Sequence, residues 1–249
     1  MGLRLVQVNF KARDDAALGR FWAAALGWEV SGSGGGATSV TPAGFVWTDP
    51  GAAVCLDVIA VPDPETVQDR VHIELATTSV AHKTELVARL RELGATPVDG
   101  SGVPWTVMAD PQGNVFCVQE PAGEYRDTGP IAAVVVDCAD PPTLARFWGE
   151  AMNWTTHEVT GERARLRSAK DVGAKDVGPY LEFLRTPHLP PTRHRVHLDV
   201  VPDQGDGQAA EVARLRTLGA TPADVGQGDV GWVVLADPEG NQFCVLAPA

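Results

Sequence analysis

Several things that this sequence lacks narrow its reading at once. No stretch approaches the roughly 18 consecutive apolar residues that a bilayer crossing demands, so a membrane partner is excluded. The opening MGLRLVQVNF has no apolar signal core with a cleavage site; it reads as a first strand, and a cytoplasmic location is the expectation. Positive charge is also scarce. The formal net charge is −12, with no basic tail or Lys/Arg stripe, which argues against a phosphate-backbone partner and hence against nucleic acid. The four cysteines, Cys55, Cys117, Cys138 and Cys244, form no CxxC pair, so reduced thiols are expected rather than disulfides or a zinc knuckle. Tyrosine is rare, at two residues, whereas tryptophan reaches seven. The glycine-rich run SGSGGGATS from Ser31 lacks the lysine and the strand-loop-helix setting of a phosphate cradle, which leaves a hairpin or lid.

What the chain does have is itself, twice. RFWAAALGW at Arg20–Trp28 returns as RFWGEAMNW at Arg146–Trp154, VARLRELGATP at Val87 as VARLRTLGATP at Val212, and ADPQGNVFCV at Ala109 as ADPEGNQFCV at Ala236. A period this long is far above the roughly 20–50 residues of solenoid repeats, and each copy is large enough to be a globular unit. Two homologous domains are expected at 1–121 and 131–249. A linker at 122–130 falls where Pro, Gly and charged residues interrupt both patterns. The tandem pentapeptide AKDVGAKDVG from Ala169 reads as an expanded loop.

Within the first copy, Leu18, Phe21, Trp22, Ala25 and Leu26 fall on one helical face after an Asp14-Asp15 start. Gly27 stops that helix, and Asn153, the other residue that readily turns left-handed, stands at the matching point of the second copy. A second helix is predicted over Val80–Leu93. Strands are predicted at Phe45–Trp47, Val54–Ile59, Val71–Leu75, Trp105–Met108 and Val115–Gln119, the last two joined by the turn Asp110–Asn114. The order is strand, helix, three strands, then the same again.

With RFWxxxxxW, RVHIEL at Arg70, RVHLDV at Arg195 and the two DPxGNxFCV endings in that order, the chain resembles the vicinal oxygen chelate superfamily. That is the fold of glyoxalases, bleomycin-resistance proteins and extradiol dioxygenases, here in its glyoxalase-like branch. The resemblance covers nearly the whole chain. It implies an α+β fold of tandem domains, each of paired βαβββ modules whose curled mixed or antiparallel sheets form a cup for metals or small molecules. It also implies that one chain imitates a homodimer or forms one.

Metal ligands in such enzymes come from the first and fifth strands and from the last strand of each submodule. Matched onto this chain, the resemblance puts Gln7, His72 and Cys117 together in the first copy, and Ala133, His197 and Cys244 in the second. Alanine ligates nothing, and a Gln/His/Cys set is foreign to iron, nickel and manganese. No cofactor is therefore expected, with Gln7 and His72 as the only weak metal candidates.

Strand alternation puts His72 and Glu74 on one face, and His197 and Asp199 likewise, so each pair is a candidate acid/base couple. Alternatively Glu74 pairs with Arg70 at the surface. Trp47, Trp105 and Trp232, with Gln7, Cys117 and Cys244, are candidates for lining a ligand pocket. The leading expectation is metal-independent binding of a small aromatic or planar molecule, of a sequestration or resistance type. The alternatives are a metal-free isomerase, cyclase or lyase using a His-carboxylate pair, and a metal-dependent lyase or dioxygenase.

Overall fold

The computed structural model describes residues 2–47, 54–64, 69–100, 102–168, 178–187, 189, 195–203, 205 and 207–248. Residues 169–177 of the tandem pentapeptide lie outside them. Among the described residues no helix is long and apolar enough to cross a membrane.

The first half runs β1 (Leu3–Ala12), α1 (Asp15–Leu26), β2 (Glu29–Gly34), β3 (Ala37–Thr41), β4 (Cys55–Ala60), then β5 (Val71–Leu75), α2 (Val80–Glu92), β6 (Thr96–Pro97), β7 (Thr106–Ala109) and β8 (Val115–Val118). A 3-10 turn at Gly123–Tyr125 leads to the second half. It runs β9 (Ile131–Cys138), α3 (Pro141–Met152), β10 (Thr155–Val159), β11 (Arg163–Arg167), β12 (Tyr180–Arg185), then β13 (Val196–Pro202), α4 (Gln208–Leu218), β14 (Thr221–Pro222), β15 (Val233–Ala236) and β16 (Gln242–Val245). Four βαβββ modules thus follow one another.

Local chemistry sets the boundaries. Asp14 caps α1 by accepting from the Ala17 amide at 2.8 Å, and Asp140 does the same for α3 from Thr143. Gly27 and Asn153 end these helices at φ 69° and 54°, as expected from a left-handed C-cap. The glycine-rich run forms the β2–β3 hairpin. One strand expectation is corrected: Phe45–Trp47 is not a strand. Pro42 and Gly44, the latter at φ 72°, turn the chain there, and the Phe45 amide closes onto the Pro42 carbonyl at 3.1 Å. The third strand of this module is instead β3, whose first residues belong to the glycine-rich run read as a hairpin or lid.

The modules pair across the repeat. One mixed eight-stranded sheet has the order β14-β15-β16-β13-β1-β4-β3-β2 and the other β10-β11-β12-β9-β5-β8-β7-β6. Neither closes into a barrel. At each centre an antiparallel pair joins the two halves, β1 with β13 and β9 with β5. The stretch 122–130 therefore separates sequence repeats, while each sheet takes one module from either side of it.

Alternation then divides each sheet into two faces. Val8, Phe10, Val134 and Val136 face a continuous core containing the fully buried Trp22, Trp148, Phe116 and Phe243. Gln7, Asn9, Ala133 and Val135 face the other way, into the concavities.

Helix α1 lies unusually close to β3. A methyl group added at Gly19 would come 2.3 Å from the Cγ2 of Thr38, which is buried and anchored to Asp15 at 2.7 Å. At Gly149 in α3, which aligns with Ala23, the nearest atom would be 3.8 Å away. Gly19→Ala is expected to cost about 1–3 kcal/mol through overpacking. Gly149→Ala is expected to be neutral or to stabilise by up to ~1 kcal/mol through helix propensity. Urea unfolding of the two variants measures both.

Candidate functional site

Strand register assigns the chemistry-bearing side chains to two cups. In the first, Gln7 stands opposite Cys55 on β4 and Asp199 on β13, Asn9 opposite Asp57 and His197, and Asp199 opposite Cys244 on β16. In the second, Ala133 stands opposite Tyr180 on β12 and Glu74 on β5, Val135 opposite Glu182 and His72, and Glu74 opposite Cys117 on β8. Grouping by sequence half is thereby corrected: Gln7 sits with His197 and Cys244, whereas Ala133 sits with His72 and Cys117. Gln7 and His72, expected as metal candidates together, occupy different sheets.

The first cup is open. It encloses about 460 Å³, with Gln7, Asn9, Asp57, His197, Asp199 and Cys244 below and Val225, Gln227 and Trp232 towards the rim. His197 Nε2 lies 3.2 Å from Asp199 Oδ1, and Asn9 Nδ2 donates to Asp199 Oδ2 at 3.4 Å. Among the described residues, Asn9 Oδ1 and Asp57 Oδ1 are buried acceptors with no hydrogen-bond partner. Burial pushes the Asp57 carboxyl above its usual range, and the Asp199 charge adds to this against hydrogen bonds from Ser39 and Gln7.

The second cup is filled from within. The Tyr125 ring, 6% exposed, packs on Ala76, Ala132, Ala133 and Val135 and meets the Tyr180 ring edge-on at 6.0 Å. Its hydroxyl donates to Glu182 Oε1 at 2.9 Å and accepts from Arg163 Nη2 at 2.6 Å, while Arg163 Nε donates to Glu182 Oε2 at 3.0 Å. Successive inward positions of β11 hold the connecting segment down. Arg165 pairs with Glu124 at 2.8 Å, and Arg167 donates to the Asp127 carbonyl at 2.9 Å with its guanidinium 4.9 Å from the Tyr180 centroid. Composition gave no signal for this plug, since one tyrosine in a Pro/Gly-rich linker carries no periodicity.

His72 and Glu74 do share a strand face, with Nε2 and Oε1 3.9 Å apart. Burial disfavours the imidazolium, but Cys117 and Glu74 outweigh it and raise the His72 pKa to about 10. Glu74 does not pair with Arg70 at the surface. It is buried, and Arg70 reaches across to the Glu239 carbonyl at 3.1 Å. Trp47 offers its carbonyl to Arg4 and meets the Phe45 ring edge-on, and Trp105 is half-buried; neither lines the open cup, so of the three tryptophan candidates only Trp232 does.

Each cup brings a histidine, a carboxylate and a cysteine together, with donor atoms all within 4.8 Å of one another: His197, Asp199, Cys244, and His72, Glu74, Cys117. These sets do not fit iron, nickel or manganese, which prefer imidazole and carboxylate, because each last strand supplies a thiol. Burial and Asp199 push the Cys244 thiol up, so without a metal it is protonated. Zinc is the ion whose preferences overlap these donor types.

Burial likewise raises Cys55, reinforced by Asp57, and pushes Cys138 up to about 12, reinforced by Glu239. All four cysteines are buried. Ellman's reagent is expected to find no rapidly reacting thiol in the native protein and all four after denaturation. A second expectation concerns Glu182, which burial, opposed by Arg163, raises to about 7. Between its unfolded value near 4.5 and about 7 the folded chain binds the extra proton, so this contribution is full below that window and is lost as pH rises through it. Melting temperatures across this range should fall less steeply with pH in Glu182→Gln than in the parent.

A sequence-family profile described as a glyoxalase-like domain matches the chain twice, over residues 7–119 and 133–246. No curated protein matches. Among solved structures the chain is similar to glyoxalase I from Zea mays, at 14% identity and a TM-score of 0.63, covering 99% of this chain and 92% of that one. A variant of the maize enzyme gives 15% identity and a TM-score of 0.65, with 99% and 92% covered. A Bacillus subtilis protein provisionally named a dioxygenase gives 14% and 0.59, with 100% and 86% covered. At these identities the likeness is one of fold.

Proposed function

We propose that this chain, which belongs to the glyoxalase-like domain family in both of its halves, captures a small planar organic molecule in its open cup without a metal. The observation that carries this reading is the union of space and unspent hydrogen-bonding capacity in one place. A volume of about 460 Å³ with Trp232 at its rim lies over two buried acceptors, Asn9 Oδ1 and Asp57 Oδ1. A buried acceptor left bare costs roughly 1–3 kcal/mol, and a ligand carrying N–H or O–H donors relieves that cost on entry. The negative net charge additionally favours neutral or cationic ligands over anions.

A second reading rests on one distance. The 3.2 Å separation of His197 Nε2 and Asp199 Oδ1 within the same cup suits proton transfer on the bound molecule, with the imidazole as base and the carboxylate orienting it. The corresponding pair in the other cup, His72 and Glu74, is wider at 3.9 Å and shares its cup with the Tyr125 ring, so the open cup is the better placed for this chemistry.

Thermal-shift screening of a panel of planar amines, phenols and heterocycles tests the binding reading. A ligand at about 100 times its Kd is expected to add ~2.7 kcal/mol of stability. Trp232→Ala is expected to weaken binding about tenfold. His197→Ala separates the two readings, since retained binding with abolished turnover of the ligand favours the enzyme. Elemental analysis after incubation with nickel, iron, manganese and zinc is expected to find no tightly held ion; one ion per chain, required for ligand binding, would replace the metal-free reading.

A further inference from the structure

The closed cup already contains an aromatic ring, and the two cups superpose position by position in their ladders. Gln7 corresponds to Ala133, Asn9 to Val135, Asp57 to Glu182, Asp199 to Glu74 and His197 to His72. In the closed cup the ring lies over Ala133 and Val135 and its hydroxyl donates to Glu182 Oε1 at 2.9 Å. In the open cup the corresponding acceptor, Asp57, has one buried oxygen without a partner.

We infer that the open cup takes a hydroxyaromatic molecule whose phenolic hydroxyl donates to Asp57, in the way that Tyr125 serves as a resident ligand for Glu182. This inference rests on the binding reading above and names its ligand class. Three further observations support it. The arginines that crowd the closed cup, Arg163 and Arg165, stand on β11 opposite Leu184 and Glu182, whereas Ala37 and Ser39 stand on β3 opposite Ile59 and Asp57. Small residues thus leave free, beside Asp57, the room that guanidinium groups take beside Glu182. Both carboxylates are buried enough for desolvation to raise them, although Arg163 opposes this only at Glu182. Finally, an O–H donated to a carboxylate in a site shielded from water is among the stronger neutral-to-charged hydrogen bonds.

The test uses the full chain with p-nitrophenol, and with p-nitroanisole as the same ring lacking the donor. Calorimetry is expected to give one p-nitrophenol per chain, with p-nitroanisole at least tenfold weaker. The phenolate absorbance should fall on binding, because donation to Asp57 keeps the hydroxyl protonated. Asp57→Ala should remove both the preference and the absorbance change while leaving p-nitroanisole affinity intact. Tyr125→Phe, confined to the closed cup, should leave p-nitrophenol affinity unchanged. Equal affinity for the two probes, a preference that survives Asp57→Ala, or a loss of affinity in Tyr125→Phe would each overturn the inference. If planar amines stabilise the protein and p-nitrophenol does not bind, the inference fails and the binding reading stands; if nothing in the panel binds, both fail.

Discussion

Two buried hydrogen bonds hold this architecture in register. The Trp22 indole donates to Asp110 at 3.3 Å and the Trp148 indole to Asp237 at 3.2 Å. Each joins a helix packed on one sheet to a turn of the other, so the modules of one half are locked together although they belong to different sheets. The same carboxylates organise their own turns: Asp110 Oδ1 accepts from the Gln112 and Asn114 amides, and Asp237 Oδ1 from those of Glu239 and Asn241. A carboxylate this deeply buried is costly unless its lone pairs are spent, and here nearly every one is. Around each indole the aromatic rings Phe21 and Phe116, or Phe147 and Phe243, pack edge-on at 4.9–6.4 Å, so the polar contact sits inside an apolar collar.

A second set of contacts runs between the halves. Arg70, ahead of β5, reaches the Glu239 carbonyl and Asn241; Arg195, ahead of β13, reaches the Gln112 carbonyl at 2.8 Å. Each arginine thus clasps the DPxGN turn of the opposite repeat. Together with the β1–β13 and β5–β9 pairings, these clasps place the first strand of one half against the first strand of the other half's second module, and so decide which side chains share a cup.

Much of this was legible in the sequence because it was local or repeated. The helices, their left-handed stops at Gly27 and Asn153, and the strands VHIEL and VHLDV follow from spacing and turn chemistry, and duplication checked each against its copy. The recurring RFW and DPxGN motifs were visible, but not that one donates a hydrogen bond to the other. Partner choice between modules was not legible at all. A strand's own residues fix its face, whereas its neighbour in the sheet is set by long-range packing, and either pairing would satisfy the alternation. Hence Gln7, His197 and Cys244 were recognisable as site residues, while their grouping in one cup, together with Asn9 and Asp57, was not. Tyr125 lay outside any periodic pattern and became meaningful only beside Glu182 and Arg163.

The exchange of modules also bears on how this duplicated chain can change over time. Because every cup is assembled from both copies, the repeats are not spare versions of each other. His72 offers no backup for His197, since the one shares its cup with the Tyr125 ring and the other lines the open cavity. A substitution in either copy falls on one cup alone, so one cup can be filled by a resident side chain while its twin keeps an opening. Repetition in the sequence has become two unlike cups in the molecule.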